Sequence, residues 1–258
     1  MHFDKNTFAS EGYLLIPKAI PEAPCREFGR IAVNEYERLV RDGWRFVDSG
    51  ALAGHLNIRM GEPGRALLAE LERAGIPALI AELAGEPVHL AQAHGNLNLS
   101  GSVPQDYHMD GEYERAILIA NICLVPTDNT NGATALVPRS NAEKLSYWQF
   151  RRGGGAARAI RPALQPGDVL IRPSNLWHRG TANPGAAPRP MAAFSYLPES
   201  LGGQAGPVGD LDGPLTIHGN KYYGRFKRLK EFAAVRLPRI DEALRLGRSL
   251  AQDLRRRA

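Results

Sequence analysis

At 258 residues, 43% hydrophobic and 23% charged, the chain has ordinary globular composition and enough length to bury a full core. No stretch reaches the apolar length of a bilayer span, and "MHFDKNTFASEGYLLIPKAI" shows no basic region followed by a long apolar run, so neither a membrane partner nor a secretory leader is expected. Cys25 and Cys123 are too few for a disulfide framework, and a reducing cytoplasm is the expected location.

The net charge of +5 is unevenly spread. Residues 221–258 hold 12 Lys or Arg against 4 Asp or Glu, a balance of +8, while the other 220 residues hold 20 against 23, a balance of −3. Basic character therefore belongs to the C-terminal segment. The solvated face of a helix explains it, or an anionic substrate or partner.

In chain order, "FDKNTFASEGYLLIPKAIP" predicts a short helix, a Gly turn and an apolar strand. "PEAPCREFGRIAVNEYERLVRDG" places Phe28, Ile31, Tyr36, Leu39 and Val40 near helical spacing and closes at Gly43. "EPGRALLAELERAGIPALIAELAG" predicts one or two further helices, broken at Gly75 and Pro77. After Gly85 the pattern changes to short apolar runs between turn residues: "PVHLAQAHGNLNLS", "RAILIANICLVP", "GATALVP", "GDVLIRP", "HRGTAN" and "RPMAAFSYLP". Such spacing predicts a β-sandwich or barrel. The Gly-rich stretches 151–157 and 199–214 are expected to be mobile loops, serving as lids or as plain connections. From Lys221 two helices parted at Pro238 are expected, with Phe226, Leu229 and Phe232 on one and Ile240, Leu244 and Leu250 on the other. An apolar stripe of this kind must be buried, either on the same domain or in a homodimer. The organisation read from the sequence is thus a barrel domain with N-terminal helices over 1–220 and a basic helical extension over 221–258 packed on it.

Two strands carry unusual polarity. In "HGNLNLS", His94, Asn96, Asn98 and Ser100 share one face, and Asn121 shares a face with Ile117, Ile119 and Cys123. Polar groups on such faces need partners, so these faces meet solvent or line a cavity with polar contents.

The chemistry centres on "YHMDGEY", where His108 and Asp110 stand two apart just before a predicted strand. About 0.3 such pairs arise by chance from this composition, so the pair alone is weak. Its context is stronger: His178 follows the Gly turn and strand of "LQPGDVLIRPSNLW", and Arg189 stands eleven residues later at the head of the next strand. Two imidazoles and one carboxylate on one face of an octahedral ion suit Fe(II), leaving three positions for a 2-oxo acid and O2. Structural zinc would want four protein ligands, often cysteines.

These residues, with "FASEGYLLIPKAI", "NGATALVPRSN", "QPGDVLIRPSNLWHRG" and the arginine of "PRPM", make the chain resemble the phytanoyl-CoA dioxygenase family of iron(II)/2-oxoglutarate oxygenases over residues 7 to about 197. The resemblance implies a double-stranded β-helix, a jelly-roll or cupin-like barrel flanked by N-terminal helices. It implies that His108, Asp110 and His178 bind iron and that Arg189 holds the far carboxylate of 2-oxoglutarate. Thr181 is placed to help hold this co-substrate, and Asn98 and Asn121 to bind it or the substrate. Trp177, Tyr113 and Trp148 are candidate pocket walls.

The same resemblance narrows the reaction. Halogenases of the superfamily lack the carboxylate, which Asp110 supplies here, so hydroxylation or a related oxidation is implied. DNA-repair dealkylases carry a second arginine six residues beyond the first, where this chain has Ser195, so no nucleic-acid partner is expected. The expected substrate is a small secondary metabolite or amino-acid-like molecule, although an acyl group on coenzyme A or a carrier protein would use the basic tail. A cupin-type isomerase or hydrolase with another metal, and a non-catalytic binding barrel, are the alternative readings.

Overall fold

Short antiparallel strands, alternating in polarity, build two sheets of unequal size in the computed structural model, which describes residues 5–46, 50–202, 208–218 and 225–257. Along the chain the strands are β1 (Leu14–Ile16), β2 (His55–Arg59), β3 (Val88–Asn98), β4 (Leu118–Cys123), β5 (Thr134–Leu136), β6 (Val169–Pro173), β7 (His178–Gly180), β8 (Arg189–Pro198) and β9 (Thr216–His218). Seven of them form the large sheet in the order β1-β6-β4-β8-β3-β2-β9, while β5 pairs with β7. Single bridges widen the small sheet by setting His108 beside His178 and Ile160 beside Leu136. Leu136 and Leu176 pack against Leu170 of the large sheet, closing one end of the space between the sheets. The architecture is a jelly-roll of the double-stranded β-helix kind, as the resemblance implies.

Helices cover the outer face of the large sheet. α1 (Lys5–Glu11) leads into β1, and α2 (Glu22–Arg41), α3 (Pro63–Arg73) and α4 (Ile76–Ala84) bury Phe28, Leu67, Leu71 and Ile80 against Leu56, Leu97, Ile122 and Phe194. Gly75 separates α3 from α4 with φ of +75°. Pro77 does not break a helix as expected. It sits in the first turn of α4, where its missing N–H has no partner to lose.

Outside the small sheet, α5 (Tyr147–Arg152) covers Trp177 and Tyr107, its start fixed by a reciprocal capping box between Ser146 and Gln149. The Gly-rich stretch that follows is a fitted element and no loose loop. Residues Gly155–Arg158 form a 3-10 turn, and a Cβ at Gly155 would lie 2.3 Å from the Phe150 ring. Of the second Gly-rich stretch, residues 203–207 lie outside the described residues.

α6 (Arg225–Arg236) and α7 (Pro238–Arg257) part at Pro238 as expected. The polar side of α7 meets the barrel: Arg245 pairs with Asp106 at 2.8 Å, Trp148 N donates to Ser249 Oγ at 3.0 Å, and Arg151 pairs with Glu242. Leu229 and Phe232 of α6 are exposed, and the side chain of Phe226 lies outside the described residues.

Candidate metal centre

Register places a polar row inside the barrel. Asn121 stands opposite Ala193, which stands opposite His94, and in the same way His55, Asn98 and Arg189 are direct neighbours across three strands. With Arg172 and Ser195, these residues face inward while Leu56, Leu97, Ala120 and Phe194 face the helices.

The small sheet carries the candidate histidine ligands. His108 N donates to His178 O at 2.9 Å and His178 N donates back to His108 O at 3.0 Å, so two segments distant in sequence bring their imidazoles side by side, centroids 4.5 Å apart. Asp110 follows, its N–H donating to Ser174 O at 2.8 Å, while Ser174 Oγ accepts from Ile117 N at 3.1 Å. Buried Ser174 thereby fixes the segment between the metal pair and β4. "GD" before β6 is structural: Asp168 accepts from Lys18 N at 2.8 Å and Gln165 N at 2.7 Å.

One ligand atom each from His108, Asp110 and His178 lies within 4.8 Å of the others, the one such cluster among the described residues. His108 Nε2 is 3.5 Å from Asp110 Oδ1 and His178 Nε2 is 3.3 Å from Asp110 Oδ2. Nδ1 of His108 lies 2.8 Å from Asp106 O, and Nδ1 of His178 lies 2.9 Å from Leu176 O. A carbonyl only accepts, so each Nδ1 carries the proton and each Nε2 keeps its lone pair for an ion. Burial, reinforced by Arg172, pushes His178 down to about 4, which keeps it neutral. Burial would raise Asp110, but its neighbours His178, Arg172 and His108 outweigh it and hold the carboxyl well below its usual range. The donor set fits a divalent ion of the iron type: two imidazoles and one carboxylate.

Arg189 is 3% exposed, donates Nη2 to Gly132 O at 2.8 Å, and leaves Nε buried without an acceptor. Burial drags its pKa down to about 10, and no carboxylate pairs with it among the described residues. Such a cation fits an anionic co-substrate. Gly132 is required here. Its φ is +87°, and a Cβ would lie 2.3 Å from Asn98 Nδ2. Arg179 points to the opposite face of its strand, its guanidinium 4.4 Å from the Tyr107 ring centroid.

The remaining predicted residues gather at the Arg189 end to different degrees. Asn98 is fully buried, donating Nδ2 to Thr181 O at 2.9 Å and accepting from Ser102 Oγ. Thr181 Oγ1 donates to Ala133 O at 2.7 Å. Asn121, buried on the inward face, makes no side-chain hydrogen bond among the described residues. Trp177 stacks on Phe150 at 4.3 Å, and with Tyr113 it walls a cavity of about 830 Å³ that opens beside His108 and is closed on its far side by α7 residues including Arg248 and Gln252. Trp148 instead lies near Arg152. From the sequence, Arg172 has no role beyond its place in a predicted strand, yet its Nη2 donates to Asp110 Oδ2 at 2.6 Å. Its parity with Leu170 on β6 was the available signal. His55 was also missed, because β2 was not read as a strand.

A family model for phytanoyl-CoA dioxygenase matches residues 8–191. The chain belongs to the phytanoyl-CoA dioxygenase family. Solved structures agree on the fold. AviO1 from Streptomyces viridochromogenes Tue57 has a TM-score of 0.64 at 16% identity, covering 81% of this chain and 99% of that one. The non-heme alpha ketoglutarate dependent carbocyclase SnoK from nogalamycin biosynthesis scores 0.60 at 18% identity, covering 87% and 88%. The epimerase SnoN, solved with Fe3+, alpha ketoglutarate and nogalamycin RO, scores 0.55 at 21% identity, covering 75% and 82%. Among phytanoyl-CoA dioxygenase-like barrels this chain thus offers both a three-donor metal cluster and a buried, carboxylate-free arginine.

Proposed function

We propose that the chain is an Fe(II)/2-oxoglutarate-dependent oxygenase that hydroxylates a small organic molecule. The balanced reaction takes a substrate C–H, O2 and 2-oxoglutarate to an alcohol, succinate and CO2, with one oxygen atom of O2 in the alcohol and one in succinate. The observation that carries this reading is the metal cluster of His108, Asp110 and His178 in one barrel with the unpaired guanidinium of Arg189. Iron(II) held by the three side chains supplies the redox activation of O2 that no side chain can.

Each residue then has a task. The two imidazoles bind through Nε2, oriented by their bonds to Asp106 O and Leu176 O. Arg189 holds the far carboxylate of 2-oxoglutarate through its remaining donors, and the Gly132 carbonyl fixes its plane. Asn98 and Thr181 shape that end of the barrel, while Asn121, with its amide unengaged, bonds co-substrate or substrate. The cavity beside His108, walled by Tyr113, Tyr147 and Trp177, suits a molecule with ring or hydrocarbon surface and polar substituents, and its walls limit water.

Solved relatives named as an epimerase and a carbocyclase favour a second outcome at the same site, stereoinversion or ring closure. One experiment addresses both. The protein is incubated with Fe(II), 2-oxoglutarate and a panel of small molecules, and succinate and product masses are followed. A gain of one oxygen atom marks hydroxylation, a loss of two hydrogens marks desaturation or ring closure, and an unchanged mass with altered chromatography marks inversion. Equal turnover with Zn(II), which has no accessible redox chemistry, would end the oxygenase reading. Turnover without 2-oxoglutarate would point to a cupin-type isomerase or hydrolase.

A further inference from the structure

Arg172 is buried at 5% exposure on the inward face of β6, close enough to Asp110 for Nη2 to donate to Oδ2 at 2.6 Å. Its Nε and Nη1 are also buried, and neither finds an acceptor among the described residues. A guanidinium kept for stability would have its donors satisfied, because idle buried donors cost free energy. Asp110, in contrast, has a side chain 33% exposed, so water reaches it without help from Arg172. Stability alone does not explain a buried guanidinium with one bonded nitrogen of three, and that one nitrogen meets the carboxylate.

Resting on the reading of His108, Asp110 and His178 as an iron site, we propose that Arg172 is a positioning residue that holds Asp110 to one-oxygen coordination. A carboxylate with both oxygens free can chelate a divalent ion and take two of its positions. Oδ2, although 3.3 Å from His178 Nε2, is engaged by a short charge-assisted bond, so Asp110 presents Oδ1, which lies 3.5 Å from His108 Nε2. Two nitrogens and one oxygen then leave three of the six octahedral positions for co-substrate and O2. Arg172 also draws electron density from the carboxylate, which weakens its donation to the ion. Arg189 is a separate device: it hydrogen-bonds Gly132 and does not touch the triad.

The test uses Mn(II) as a spectroscopic substitute for Fe(II) on full-length wild type, Arg172→Leu and Arg172→Lys. Water-proton relaxation counts exchangeable waters on bound Mn(II), and thermal unfolding is measured on the metal-free proteins. Arg172→Leu should unfold no earlier than wild type and should lose one bound water as Asp110 becomes two-oxygen. Arg172→Lys should restore the wild-type water count. With Fe(II), Arg172→Leu should lower kcat by about 10- to 100-fold while the KM for 2-oxoglutarate stays nearly unchanged, the split expected of a residue that orients a ligand. An unchanged water count in Arg172→Leu overturns the proposal, and so does early unfolding that Arg172→Lys does not rescue. Should Arg172→Leu fail to fold, Arg172→Gln carries the same comparison. Wild type that binds no Mn(II) would overturn the metal-site reading itself, an outcome distinct from any difference among the variants.

Discussion

The barrel and its last helix handle polarity in opposite ways. Inside the barrel, His94, Asn121, Arg172 and Arg189 point inward, and the apolar faces of the same strands are sealed by α2, α3 and α4. On α7 the polar side is the docked one, with Asp241 and Ser249 each 8% exposed, while Ile240, Leu244 and Leu254 stand 52 to 59% exposed. In the barrel, His94 meets Ser195 Oγ and Arg172 meets Asp110, while Asn121 and part of the Arg189 guanidinium are left, on the reading proposed above, for a polar ligand. On α7, ion pairs and hydrogen bonds to Asp106, Trp148 and Arg151 suffice to dock the helix, and the apolar stripe is left for something else. On that reading, inward polarity serves chemistry in the barrel and attachment on α7.

The largest effect expected lies in the barrel. Replacing His108, Asp110 or His178 by Ala should abolish Fe(II)-dependent succinate release, because each supplies one of three donors to the same ion. Wild-type turnover in any of them would remove the distinction, since the inward polar row would then be packing alone. Arg189→Ala comes next. Losing a desolvated Arg–carboxylate pair costs about 2–5 kcal/mol, so the 2-oxoglutarate requirement should rise by roughly one to three orders of magnitude while metal still binds. Arg179→Ala, whose side chain lies on Tyr107 outside the barrel, should leave that requirement nearly unchanged.

A pH titration of stability sharpens the same side. Burial pushes His55 down to about 4. Its unfolded value lies near 6.5, so between these values the unfolded chain binds a proton that the folded one does not. Stability from this group is complete above about pH 6.5 and is lost as pH falls towards 4, by about 3 kcal/mol in all. His55→Phe should flatten that part of the profile in chemical denaturation, and an unaltered slope would show that other groups produce it.

The smallest effect on folding belongs to α7. Ile240 and Leu254 of its exposed stripe stand two heptads apart, with Leu244 four residues after the first, a spacing that suits helix pairing, so the protein should sediment as a dimer at micromolar concentration. Leu244→Glu should make it monomeric and change unfolding free energy by less than about 0.5 kcal/mol, as for any surface position. A wild type that stays monomeric throughout would leave the stripe to another partner.

Much of this molecule was legible beforehand, and the reason is local. Strand alternation in "HGNLNLS" and "AILIANICLV" put His94, Asn98 and Asn121 on one face, and a strand admits only two faces. Helix ends at Gly43, Gly75 and Gly85 followed from residues able to take positive φ. The spacing of His108, Asp110, His178 and Arg189 carried the site through its resemblance to a family. What escaped depended on partners distant in the chain. β2 and β9 are strands because β3 offers an edge and β2 then offers another. The fitted turn at Gly155 exists because the Phe150 ring lies there. The bond from Arg172 to Asp110 forms only when β6 and the 107–110 segment meet across the barrel, and the outward turn of α7's apolar stripe follows from Asp106 and α5 claiming its polar side. Periodicity and turn chemistry act within a few residues, so the sequence alone determined faces, helix ends and the metal-ligand motif. Choices between two chemically acceptable faces or partners are made by whichever surfaces folding brings together, and those only the tertiary structure decided.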